Sequence, residues 1–267
     1  VCALLVGDMA RVLGAVEATG LAALPTVSAR GPVALLARVT GSVERPSLAA
    51  DLDVGMAEIA FDEKVPPIRI GELRASLAGG WIDRLGASAE WQGSRVTAAG
   101  RIPLHLFREH LPAAIVDALP MASGSASLDV TAQSITPAVL APFVDAEALA
   151  QIDGVLDASA RLEADALDAA ALRGDVRLDR LDVRVAGLPV TQREPTRVEI
   201  GNGIARVASW QWAGQGATLN VQGEIGLTSQ QAALLAAGVI DLRLLSPFLR
   251  TAGMTISGSL APRFSIS

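Results

Sequence analysis

The chain has 267 residues, a net charge of -6 and 51% apolar residues, with only 3% aromatics and no tyrosine. Mean hydropathy is high at +0.40, yet no uninterrupted apolar stretch reaches the eighteen or so residues that a membrane helix needs. Lys64 is the only lysine, the arginines are scattered singly, and no basic cluster interleaves with aromatics, which argues against nucleic-acid binding.

The chain opens mid-pattern, and Cys2 alone permits no internal disulfide. From residue 33 onward most of the chain reads as strands. Runs at 33–40, 67–78, 86–90, 94–102 and 125–133 are punctuated by Gly, Pro, Asn and Asp. Between the first two, Leu48, Ala50, Leu52 and Val54 alternate with Asp51 and Asp53, so one strand face is apolar and the other charged. Leu104 to Leu119 places Leu104, Phe107, Leu111, Ile115 and Leu119 at helical steps, although Pro112 interrupts them. Ala138 to Gln151 and Ser229 to Ala237 are weaker helical candidates.

The second half repeats the strand pattern at 154–163, 196–200, 203–209, 217–227, 238–244 and 254–260. Val176-Arg177-Leu178-Asp179 and Leu181 to Val185 both alternate, but the phase slips by one between Leu178 and Leu181. A bulge or bend at Asp179-Arg180 would absorb the slip. Gly201-Asn202-Gly203 reads as a short hairpin turn, and Gly187-Leu188-Pro189 as another break.

The chain also echoes itself at a distance of roughly 120 residues. Gly31 to Ala37 answers to Gly154 to Ala160, Leu48 to Leu172, and Ile70-Gly71 to Ile200-Gly201. Trp81 and Trp91 answer to Trp210 and Trp212, and Gly100 to Leu104 answers to Gly223 to Leu227. At a shorter distance, Leu140 to Phe143 echoes Leu245 to Phe248. These landmarks divide the chain into the end of a preceding repeat (1–30), repeat units at 31–130 and 131–238, and the start of a further repeat at 239–267. Because the pattern is already running at both ends, an excerpt of a longer protein is expected. One unit of such an array leaves its core open to its neighbours.

Chemistry-bearing constellations are sparse. His105 and His110 are the only histidines; their spacing of five, with Glu109 before the second, does not match a zinc-binding helix. Gly201-Asn202-Gly203 opens like a dinucleotide fingerprint, but Arg206 stands where the third Gly belongs. Asp51 with Asp53, and Asp179 with Asp182, read as solvated strand faces. No nucleophile, base and orienting residue can be assembled, so no enzyme, metal or cofactor is expected. The tryptophans Trp81, Trp91, Trp210 and Trp212 read as repeat packing, with a lip at a groove mouth as the rival reading.

Short alternating strands that open on Gly, as in Gly154-Val155-Leu156, Gly174-Asp175-Val176-Arg177-Leu178 and Gly223 to Leu227, resemble the repeat region of the TamB/AsmA-like family. So do Ile240 to Phe248, Ile256 to Leu260, and Thr40 to Leu48 with its Gly and following Pro. The resemblance runs from about Gly31 to the end. It implies a mainly β fold: an elongated, curved antiparallel sheet forming a taco-like groove with a few short helices and an apolar interior. It also implies a periplasmic place in a diderm bacterium, within a protein anchored in the inner membrane outside this segment. The implied function is phospholipid transport toward the outer membrane. An outer-membrane assembly barrel protein is an implied partner, and strand-pairing assistance to outer-membrane proteins is the alternative role. A closed solenoid or adhesin-like array is a further rival. On alternation alone, the groove would be lined by Leu48, Leu52, Val54, Val176, Leu178, Leu181, Val183, Val185, Leu219, Val221, Ile225 and Leu227.

Overall fold

Alternating apolar and charged residues over runs of about ten residues favour strands that bury one face and solvate the other, and antiparallel pairing follows when the connections are short. The computed structural model of the chain is such a fold. It describes residues 2–11, 28–42, 46–60, 66–110, 116, 120–141, 145–215, 217–229, 231–245, 257–260 and 263–266. The chain is mainly β, and its registered strand pairs are antiparallel. It divides into two units: Val1–Trp91, Arg95–Val130 and Glu163–Leu167 form the first, and Gln92–Ser94, Thr131–Leu162 and Asp168–Ser267 the second.

The first unit holds β1 (Cys2–Asp8), β2 (Ser28–Arg30), β3 (Pro32–Gly41), β4 (Pro46–Val54), β5 (Ala57–Ala60), β6 (Ile68–Ala78), β7 (Trp81–Trp91), most of β8 (Ser94–Pro103) and the first half of β9 (Ala126–Ile135). Strand β3 pairs with β1 and β4, β4 with β6, and β6 with β7. Strands β4 and β5 share one register along β6, with Val54 opposite Leu73 and Ala57 opposite Ile70. On its other side β5 takes β2. The core of this unit gathers Val33, Val54 and Ala57, with Met9, Leu52, Ile70 and Leu73 packed against them. Trp81, first residue of β7, is clamped: the Arg101 guanidinium sits 3.7 Å over its ring, and Arg101 also pairs with Asp83 at 2.5 Å.

The second unit holds most of β10 (Ile152–Ala164), then β11 (Leu172–Val185), β12 (Leu188–Gln192), β13 (Thr196–Gly201), β14 (Ile204–Ala213), β15 (Ala217–Gly226), β16 (Ala232–Asp241), β17 (Ser259–Leu260) and β18 (Arg263–Ile266). Strands β12 and β13 lie end to end between β11 and β14. Then β14 pairs with β15, β15 with β16, and β16 with β17 and β18. The phase slip at Asp179-Arg180 falls where β11 changes partner, from β13 over Gly174–Leu178 to β12 over Asp182–Val185.

The break at Gly187 is a two-residue turn of Ala186-Gly187, with Val185 opposite Leu188, and Leu188 and Pro189 already belong to β12. The turn at Asn202-Gly203 has φ of 52° and 71°, the left-handed pair that a right-twisted hairpin requires. Replacing Asn202 by alanine should cost about 1 kcal/mol in urea unfolding, while Asn202→Gly should be near neutral.

Four expectations are corrected. The segment Ser229 to Ala237 is not helical: Ala232–Asp241 is β16, paired on both sides, and the Ala-rich helical preference yields to two ladders of backbone hydrogen bonds. The strand expected at 238–244 therefore starts earlier, and its end is a 3-10 turn over Leu242–Leu245. In place of a helix, Leu104–His110 forms a 3-10 turn; Leu111, Pro112, Ile115 and Leu119 lie outside the described residues. Between Ala138 and Gln151 only a 3-10 turn at Pro137–Leu140 and one helical turn, α1 (Ala146–Leu149), form among the described residues.

Candidate functional site

Register decides which side chains share a face. In the first unit, Val39 lies opposite Leu48, Leu35 opposite Leu52, and Ala37 opposite Ala50. The row continues onto β6, with Leu77 opposite Ala50 and Ala75 opposite Leu52, and then Ile82 opposite Leu77. The reverse face of the same strands sets Asp51 against Ser76 and Asp53 against Arg74, hydrogen-bonded at 2.7 and 3.2 Å. One face of this sheet is aliphatic; the other is polar over β4 and β6 and turns apolar toward β1, where Leu4 lies opposite Leu36 and Val6 opposite Ala34.

The second unit repeats the arrangement. Val183 lies opposite Val190, Val185 opposite Leu188, and Val176 opposite Val198, which in turn faces Val207. Trp212 lies opposite Leu219 and Trp210 opposite Val221. Leu219 then meets Gly238, and Val221 meets Ala236. The bulge between Val207 and Trp210 keeps the tryptophans on the aliphatic face. The reverse face pairs Arg197 with Asp175 at 3.0 Å, and Arg206 with Glu224 at 2.7 Å.

The residues expected to line a groove divide into three groups. Leu48, Leu52, Val176, Leu178, Leu181, Val183, Val185, Leu219 and Val221 are half-buried. Val54 is only 2% exposed, because Val33 and Ala57 already cover it, so it is core and not lining. Ile225 lies opposite Ala205 and Ala232 but is 45% exposed, and Leu227 lies beyond β15 at 38%, its N–H donating to the Gly203 carbonyl at 2.7 Å. These last two sit at the margin of the face. The twelve positions belong to the two units, three to the first and nine to the second.

The tryptophans pack. Trp210 and Trp212 meet edge to face at 4.6 Å, and the Trp210 indole N–H donates to Gln192 Oε1 at 3.1 Å. A Cβ added to Gly124 would lie 2.9 Å from the Trp81 ring, so that ring rests on bare backbone. His105 Nδ1 lies 2.8 Å from the Ala122 carbonyl oxygen. Among the described residues no group of three or more side chains could hold a metal ion.

The ionic groups gathered by strand pairing escape a reading of the linear sequence. Arg30 lies opposite Glu58, Glu58 opposite Arg69, and Arg69 opposite Glu90, which Arg95 meets at 2.9 Å. This alternating row borders an open concavity of about 710 Å³ that Gly31, Ala57, Ile70, Gly71 and Ala89 also line. At the end of β16, Arg243 holds the Asp241 carboxyl below its ordinary range, chiefly through its guanidinium and then through its backbone N–H at 2.9 Å. A depressed carboxylate adds stability that is present above its unfolded pKa and lost as pH falls through the folded value. In a carbon-detected NMR titration Asp241 should have a midpoint below ordinary aspartates, and Arg243→Ala should move it up toward them.

Comparison of the chain with protein-family models, with curated proteins and with solved structures finds no match.

Proposed function

We propose that this chain is a lipid-carrying segment of an envelope-spanning protein, its aliphatic sheet faces receiving phospholipid acyl chains. One observation carries the reading. In each unit, apolar side chains of successive strands stand in directly opposed register on one face and many remain half-exposed, while the reverse face carries the ion pairs alongside apolar residues such as Leu4 and Leu235. Sheets ordinarily bury such a face against a second layer. Among the described residues only nine apolar residues are buried, and four of them, Ala29, Val33, Val54 and Ala57, are the small side chains of the first unit.

The physical chemistry favours acyl chains as the occupant. Each CH₂ withdrawn from water contributes roughly 0.8 kcal/mol, so a phospholipid leaves a bilayer slowly unless apolar contact replaces the membrane. Walls of Ala, Val and Leu present no polar group that would hold a chain at one point. The resemblance to the TamB/AsmA-like repeat region supplies the setting proposed here: the periplasm, an inner-membrane anchor outside this segment, and a role in outer-membrane biogenesis.

The test is lipid extraction and mass spectrometry on the chain purified from a diderm host. Phospholipids of mixed headgroup should be recovered, because the face would read chains and not headgroups. A monodisperse, lipid-free protein would overturn the proposal in favour of a strand-pairing scaffold.

A further inference from the structure

The polar row of the first unit ends on a cation that makes no ion pair among the described residues. Glu58 is paired with Arg69 at 3.4 Å and Glu90 with Arg95 at 2.9 Å. That accounts for both carboxylates beside the 710 Å³ concavity and for two of its three guanidiniums. Arg30, exposed at the end of β2, makes no ion pair or side-chain hydrogen bond among the described residues. A smaller concavity in the second unit, about 310 Å³, serves as contrast: Asp153 and Asp182 balance Arg180 and Arg184 there.

The concavity has a local cause. Gly31 joins β2 to β3 at φ 137°, and a Cβ there would strike Ala57 at 2.7 Å. The register of β6 on β7 shifts between Ile70 and Glu72, leaving Gly71 as the extra residue. Two irregular glycine positions thus leave bare backbone where neighbouring strands carry side chains, and Met56, 82% exposed, supplies apolar surface beside it. Its volume falls within the range of small-molecule sites.

We propose that this concavity binds a small amphiphile carrying one anionic group, a carboxylate or a phosphate monoester, on an apolar tail. Arg30 pairs with the anionic group and the apolar lining takes the tail. The site uses none of the twelve residues named for the aliphatic faces, so it stands or falls apart from acyl-chain transport. A solvent-exposed guanidinium holds a bare anion weakly, so the tail must supply most of the affinity.

The test is NMR titration of the full chain with decanoate, decyl phosphate, decanol, acetate and inorganic phosphate. Decanoate and decyl phosphate should both shift the Met56 methyl; whichever binds more tightly identifies the headgroup. Each CH₂ removed from the tail should weaken binding about two- to fourfold. Decanol should bind about fivefold more weakly than decanoate, and acetate and inorganic phosphate should cause no shift. Arg30→Ala, at an exposed side chain, should abolish the preference for decanoate over decanol, and Arg30→Lys should keep most of it. Equal binding of decanoate and decanol to the unmodified chain would overturn the proposal. So would shifts confined to Leu219 and Val221.

Discussion

Replacing Gly223 by alanine should lower the unfolding free energy by roughly 3 kcal/mol or more. Gly223 sits inside β15, between Val207 of β14 and Leu234 of β16, at φ 139°. That extended, mirror-image region is open to glycine and closed to other residues. The added Cβ would also run into the Ala233 carbonyl and crowd Leu234 at 2.9 Å. Relief would require β16 to move away, and the backbone hydrogen bonds between the strands would lengthen. Gly86 in β7 is the control, since a Cβ there meets nothing within 4 Å and its φ is not in the left-handed range. Gly86→Ala should change stability by less than about 0.5 kcal/mol. Urea midpoints of the two variants decide the matter; equal midpoints would show that β15 tolerates side chains along its whole length.

The second large effect concerns the aliphatic face. Val183→Asp or Leu219→Asp should reduce recovered phospholipid at least tenfold. Val183 lies opposite the buried Val190, and Leu219 lies between Trp212 and Gly238. A carboxylate set beneath an acyl chain must either lose its water or keep the chain away; unpaired burial of the charge costs several kcal/mol, so the chain leaves. Arg184→Ala changes net charge by the same amount from an exposed position one residue away, opposite Pro189. It should leave lipid recovery unchanged. Circular dichroism on all three variants separates loss of lipid from loss of fold, and equal lipid loss in Arg184→Ala would show that charge alone, not the face, is responsible.

Much of the strand pattern was legible because alternation is local. The runs at 33–40, 67–78, 94–102 and 154–163 lie within one or two residues of β3, β6, β8 and β10. The hairpin at Gly201-Asn202-Gly203 was legible for the same reason: two left-handed residues in succession favour Asn followed by Gly. Residues 232–240 misled because Ala-Ala-Leu-Leu-Ala-Ala satisfies a helical period and a strand period at once, and only pairing with β15 and β18 decides between them. The row from Arg30 to Arg95 was hidden for a different reason. Its five members are far apart in sequence, and their alternation in sign exists only across strands. Val54, by contrast, keeps the alternating phase of Leu48 and Leu52 but lies beside the kink at Gly55 and Met56, where Val33 and Ala57 close over it.

The pairing of β13 with β14, β14 with β15, and β15 with β16 has a consequence for how the chain assembles. Each of these strands finds its partner among residues synthesised just before it. Loop closure between them costs little entropy, and no distant segment need be awaited. Assembly of this stretch can therefore proceed as a zipper in step with translation, every completed strand becoming the template for the next. By the same logic, a chain pulled from its end would yield in a series of small force steps, hairpin after hairpin, and not in one cooperative rupture.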